Sequence, residues 1–238
     1  MSSGWMIQTF DREKWDCLFA SRGPELEQKL LDAMLWDADG YFQESGQFPQ
    51  GPNRDQVLAS RRGQEARGLA SHIVRNGFTY DGLDAPGSVL LDEFASDVFD
   101  EEALGDDLDT AWHSPDHVSM GMVEELLYRQ GNLRFLPLKP GNFVGRQLSR
   151  APARLLPLLL TGRRLGTEAE PTRSVHSFYV ILSPDEVVQL RDEAGEATGG
   201  SIAWRFAEVQ PALTEEYLLA PLDEVIKGGR WVAMTCRF

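Results

Sequence analysis

The chain has 238 residues, 42% of them hydrophobic, with six Trp and twelve Phe, which is enough apolar mass for a sizeable core. Thirty-seven acidic residues against 23 basic ones leave a formal charge of −14. That excess argues against nucleic acid and anionic membranes, which both require a positive surface, and it suits solubility or a basic protein partner.

Residues 4–10, Gly-Trp-Met-Ile-Gln-Thr-Phe, read as a first strand. Asp11 is placed to N-cap a helix through Ser21, with Trp15, Leu18 and Phe19 at helical spacing. A second helix is expected over 24–42, with Pro24 in its first turn and Leu26, Leu30, Ala33, Met34 and Ala38 on one face. Residues 43–54 have loop composition. Asp55 then opens a single helix that Gly77 terminates. A turn region follows, then an acid-rich helix over 88–104 and a further short one over 106–112. Residues 119–131 are helical, with Met122, Leu126 and Tyr128 as candidate buried side chains. Residues 131–173 carry five prolines and read as irregular, with a turn or two of helix available at 144–151. A strand over 174–182 alternates and is β-rich. It leads into a helix over 183–197. Another helix over 213–229 is interrupted or restarted at Pro221, and residues 229–238 form a last strand. The expected architecture is one α+β domain over 1–238, mostly helical, around a small mixed or antiparallel sheet that includes the N- and C-terminal strands.

Cys17 and Cys236 are the only cysteines. They imply neither a disulfide framework nor a four-cysteine zinc site, and both are expected to be reduced. The first residues lack the charged and apolar regions of a signal peptide. The apolar stretch 151–162 is too short to span a bilayer and contains two prolines. These features point to a cytoplasmic protein.

Charge is segregated. Residues 92–109 hold nine acids and no base, whereas residues 129–173 hold nine Arg or Lys against Glu168 and Glu170. Such runs are either solvated faces or contact surfaces for another macromolecule, and Arg is favoured where fork-shaped recognition matters.

The stretch Trp-His-Ser-Pro-Asp-His, 112–117, gathers two of the four histidines. Histidines four apart share a metal on a helix only if the helix runs through both. Pro115 stands between them and suits the first turn of a helix that Ser114 would cap, with Asp116 complementing its dipole. Ser183-Pro184-Asp185-Glu186 has the same grammar and adds a capping box. No metal site and no cofactor are therefore expected. If the chain is an enzyme, of hydrolase type, its site must be assembled from scattered residues, with Asp109, His113, His117 and His176 as candidates. His72 lies among apolar neighbours on a helix and reads as packed. No dinucleotide, P-loop, zinc-protease, nucleophile-elbow or Cys-x-x-Cys motif occurs. The favoured expectation is a non-catalytic protein-interaction module, such as a toxin-neutralising immunity protein.

Four stretches carry a family resemblance. Residues 3–21 resemble the opening strand and helix of the YfbM-like family of bacterial proteins of unknown function. Leu108-Asp109-Thr110-Ala111-Trp112-His113 is similar to that family's Leu-Asp-x-Ala-Trp-His stretch. Residues 178–190 look like its strand followed by a Ser/Thr-Pro helix start, and residues 225–238 resemble its closing helix and strand. The resemblance implies an α+β bacterial domain and brings no established activity. It makes Asp109, Trp112 and His113 the residues to follow, with Trp112 otherwise expected as a core anchor and Asp109 as a local cap or pair.

Overall fold

The computed structural model describes residues 4–35, 54–100, 104–113, 118–137, 144–148, 154–164, 171, 177–199 and 211–237. The fold is α+β and mostly helical, with a small antiparallel sheet that includes the N- and C-terminal strands. The chain divides into two compact units, one built from residues 1–9, 111–172 and 178–238 and the other from 10–110 and 173–177.

The first unit holds the sheet. Its strands β1 (Gly4–Phe10), β2 (Ala111–Trp112), β3 (Val118–Ser119), β6 (Ser177–Leu182) and β7 (Trp231–Arg237) follow the order β2-β1-β7-β6, and β3 also pairs with β1. Nearly every residue of β1 is buried, as suits a strand with neighbours on both sides. Trp5 and Ile7 enter a core with Val123, Leu126, Val180, Leu190, Leu222 and Val232. The Trp5 indole N–H donates to the Leu159 carbonyl at 2.7 Å, so this large ring keeps its polar group satisfied.

Helix α7 (Met120–Arg129) begins where Ser119 caps it, the hydroxyl accepting from the Met122 N–H. Residues 122–127 of this helix are buried on every side. Tyr128, expected inside, is instead 37% exposed. The expected irregular stretch contains a two-stranded hairpin, β4 (Leu133–Pro137) with β5 (Val144–Leu148), in register from Leu133 opposite Leu148 to Pro137 opposite Val144. Residues 144–148 are thus strand, within a stretch read as irregular with a turn or two of helix available. Leu133, Phe135, Leu136, Val144 and Leu148 supply apolar residues for the pairing, and Pro137 sits at the strand end, where its missing donor costs least. A 3-10 turn follows at Leu156–Leu160.

Helix α8 (Pro184–Thr198) has the anticipated capping box between Ser183 and Glu186. Arg163 then seals the outer edge of β6. Its N–H donates to the Tyr179 carbonyl at 2.8 Å, and its guanidinium reaches the Ile181 carbonyl and grips Glu186 with two nitrogens. Burial pushes the Glu186 carboxyl up, but the Arg163 guanidinium and the Ser183 N–H outweigh it and hold the group below the ordinary value of 4.5.

The expected interruption at Pro221 takes a specific form. Helix α9 (Pro211–Thr214) passes through a π turn (Glu215–Leu219) into α10 (Ala220–Gly228). A proline cannot donate to the carbonyl four residues back and its ring crowds that carbonyl, so the wider turn lets the helix continue. Gly229 ends α10 in the left-handed region, φ 61°.

The second unit is helical: α1 (Arg12–Ala20), α2 (Pro24–Leu35), α3 (Arg54–Ala59), α4 (Arg61–Asn76), α5 (Ala85–Asp100) and α6 (Gly105–Leu108). Asp11 caps α1 by accepting from the Glu13 and Lys14 N–H groups. Leu26, Leu30, Ala33 and Met34 form the buried face of α2 as expected, whereas Ala38 lies outside the described residues. The single helix expected from Asp55 is two. Ser60 caps α4 through the Gly63 N–H, and a Cβ at Gly63 would meet the Val57 carbonyl oxygen at 2.0 Å. The turn of α3 into α4 therefore requires glycine at that position. Phe10, Trp15, Phe19, Phe78 and Phe94 form the aromatic core, with successive ring centroids 4.4 to 6.4 Å apart.

Candidate functional site

The described residues among those singled out by sequence, Asp109, Trp112 and His113, take up separate local roles. Asp109 belongs to the helical unit and ends α6 in the left-handed region, φ 51°. Its carboxylate stands 3.6 Å from the Lys14 ammonium, and both side chains are about half exposed. The helix expected over 106–112 stops there, because a left-handed residue cannot continue it and Ala111 and Trp112 pair with β1 instead. Trp112 is not a core anchor; it stands 46% exposed opposite Gln8.

His113 belongs to the sheet unit. Its backbone N–H donates to the Ile7 carbonyl at 3.1 Å, and Nε2 lies 3.2 Å from the Thr9 hydroxyl. Burial first, then the Arg230 charge, lower its pKa against the opposing pull of Glu224. His117 and His176 lie outside the described residues, as do Ser114, Pro115 and Asp116. A helix running through Trp112 is nevertheless excluded, because Trp112 is in β2. Five residues separate Trp112 from Val118, whereas only Met6 and Ile7 separate their β1 partners, so β2 and β3 are not one regular ladder. Among the described residues no group of three or more His, Cys, Asp or Glu is arranged to hold a metal.

Some described members of the two charge runs make local contacts within their own units. Asp92 is fully buried and accepts the Tyr80 hydroxyl at 2.7 Å, while Asp107 grips Lys29 at 2.9 and 3.0 Å. From the basic run, Arg129 pairs with Glu125 and Arg163 with Glu186. His72 is packed as expected, with Nε2 2.9 Å from the Thr79 carbonyl oxygen and Nδ1 3.0 Å from the Asn76 amide.

Among the described residues, two concavities lie within the helical unit. One, of about 370 Å³ between α1 and α2, is bordered by Lys14, Cys17, Leu18, Lys29 and Asp107. The Lys29–Asp107 pair occupies its polar side, and the hydrogen bond to Asp107 raises the Lys29 pKa. The other is a groove of about 820 Å³ between α4 and α5. Leu69, Leu83, Pro86, Val89 and Leu90 give it an apolar floor, and Arg61, Arg62, Glu65, Asp84 and Glu93 border it. Its walls are held in place from behind. Tyr80 bonds Asp92 of α5, His72 of α4 bonds Thr79, and the Asp84 carboxylate caps α5 through the Gly87 N–H at 2.8 Å. A preformed apolar concavity with a charged border is what a binding surface requires.

Sequence reading missed this groove because the α5 segment was noted for its acids. The available signal was an excess of apolar residues. Leu91, Phe94 and Ala95 already supply one buried face, yet Leu83 just before α5 and Val89 and Leu90 within it are only half-buried, and Pro86 is exposed. No family model, curated protein or solved structure matches this chain.

Proposed function

We propose that this protein is a non-catalytic interaction module with a basic protein partner, one concrete form being a toxin-neutralising immunity protein. The observation that carries the reading is the preformed apolar groove between α4 and α5, on a chain of net charge −14. Burial of an apolar surface supplies affinity, and the acid excess accelerates encounter with a cationic partner through electrostatic steering. Asp109 and His113, each held by a local contact, support this reading over a hydrolytic one. The resemblance to YfbM-like proteins belongs to the same proposal and supports a bacterial source, with the cytoplasm as the proposed compartment.

The test is a pull-down from native lysate with the wild type and a Leu90→Gln variant, at low and at physiological salt. The expected result is a basic protein held by the wild type, lost in the variant and weakened by salt. For the immunity form, that protein alone arrests growth and co-expression of this chain restores it. Identical recoveries for the two chains, or no partner at physiological salt, overturn the proposal.

A further inference from the structure

Resting on that reading, we infer that the groove between α4 and α5 receives one amphipathic helix with basic residues on its outer face, whose backbone crosses α4 at Gly68. Gly68 carries the argument for close approach. It sits in the interior of α4, exposed, and a Cβ built there meets nothing within 4 Å. Glycine in a helix interior weakens the helix relative to alanine. Gly63 of the same helix has its reason inside the chain, because the Val57 carbonyl leaves no room for a side chain. Among the described residues Gly68 has no such neighbour, and it borders the groove. A small residue at a helix crossing lets a second backbone approach and adds contact along both chains.

The groove's chemistry selects a helix over an extended segment. Both walls are helices, whose backbone groups are bonded internally, so an extended strand would bury N–H and C=O groups with no edge to pair with. A helix brings its own bonds and needs only an apolar stripe. The wall residues 61–69 and 85–93 each run about 12 Å at 1.5 Å per residue, the reach of anchors spaced i, i+3, i+4 and i+7.

Charge selects the sign of the partner. Glu65, Asp84 and Glu93 border the groove with Arg61 and Arg62; Arg61 and Glu65 pair with each other at 2.8 Å, which leaves Asp84 and Glu93 against Arg62. A second copy of this chain would bring another −14 of like charge, which disfavours self-docking. A helix with lysine or arginine on its outer face meets both the border carboxylates and the long-range field.

The probe is a fluorescein-labelled helical peptide of about 18 residues with leucine on one face and lysine on the other, beside a counterpart with glutamate for lysine. Fluorescence anisotropy at physiological salt reads binding to the full chain. The lysine peptide is expected to bind and the glutamate peptide not to. The charge-neutral variants Gly68→Gln and Leu90→Gln are each expected to weaken binding at least about tenfold. Circular dichroism and thermal melting of Gly68→Gln, which places a better helix former in α4, are expected to show an intact fold. Equal binding of the lysine peptide to wild type and both variants would mean surface charge alone and would refute the assignment. So would equal binding of the two peptides, or no binding of either. If the lysine peptide fails while the lysate partner is captured in a Leu90-dependent way, the helical occupant falls and the interaction reading stands. If the peptide binds as expected and no lysate partner appears, the groove assignment stands and the wider reading falls.

Discussion

Replacing Glu193 by Ala would remove the anchor of the segment around the 3-10 turn at Leu156–Leu160. Glu193 lies on α8 and is 7% exposed. Its carboxylate oxygens accept the Leu155 N–H at 2.9 and 3.0 Å, the Leu156 N–H at 2.9 Å and the Gln189 amide at 2.9 Å. Leu155 and Leu156 are themselves buried, so the Ala variant leaves two backbone donors without their acceptor at the head of the turn. A bond to a charged acceptor nets about 1.5–3 kcal/mol, and an orphaned buried donor costs about 1–3 kcal/mol. Partial rehydration recovers some of this, so the expected loss is about 3–4 kcal/mol. Glu193→Gln keeps one oxygen facing the two N–H groups and loses the charge, for an expected loss of about 1–2 kcal/mol. Urea unfolding followed by Trp fluorescence measures both, and a shifted midpoint at constant slope isolates stability. Trypsin supplies a local readout, because Arg154 is exposed and directly precedes Leu155. Glu193→Ala should accelerate cleavage after Arg154. Losses under about 0.5 kcal/mol for both variants, with unchanged cleavage, would refute the reasoning that this carboxylate holds the turn.

Three further outcomes follow from the same structure. The Glu186 carboxyl is depressed in the folded chain, so its contribution is present above the unfolded value and is lost as pH falls through the folded one. Stability should therefore drop below about pH 4.5, and Glu186→Gln should remove that component from a pH series of urea midpoints. Burial pushes the Cys236 thiol up to about 12, whereas Cys17 is exposed. A thiol reagent should modify one cysteine rapidly in the native chain and both in denaturant, and rapid native modification of both would contradict the burial. Gly68→Ala should stabilise the free chain by roughly 0.5–1 kcal/mol, measured by urea unfolding, because the site is helical and open above; a destabilised variant would show a packing neighbour there.

Local chemistry was legible from the sequence. Asp11, the Ser183–Glu186 box and Gly77 all mark helix ends where expected, because a cap needs only the residues three or four positions away. Strongly apolar terminal segments also identified β1 and β7 and placed both in the sheet. Interactions across large separations were not legible. Ala111 and Trp112 become strand because β1, about a hundred residues earlier, offers an edge, and this overrides the helical look of 106–112. The hairpin in the arginine-rich segment is decided by a ladder between two short runs, neither of which has a strong period of its own. Glu193 was one acid among many until the fold set the Leu155 and Leu156 N–H groups against it. The groove is decided the same way: sequence determined that α5 carries more apolar residues than one face needs, and only the packing of α5 beside α4 decided which of them the core covers and which stay open.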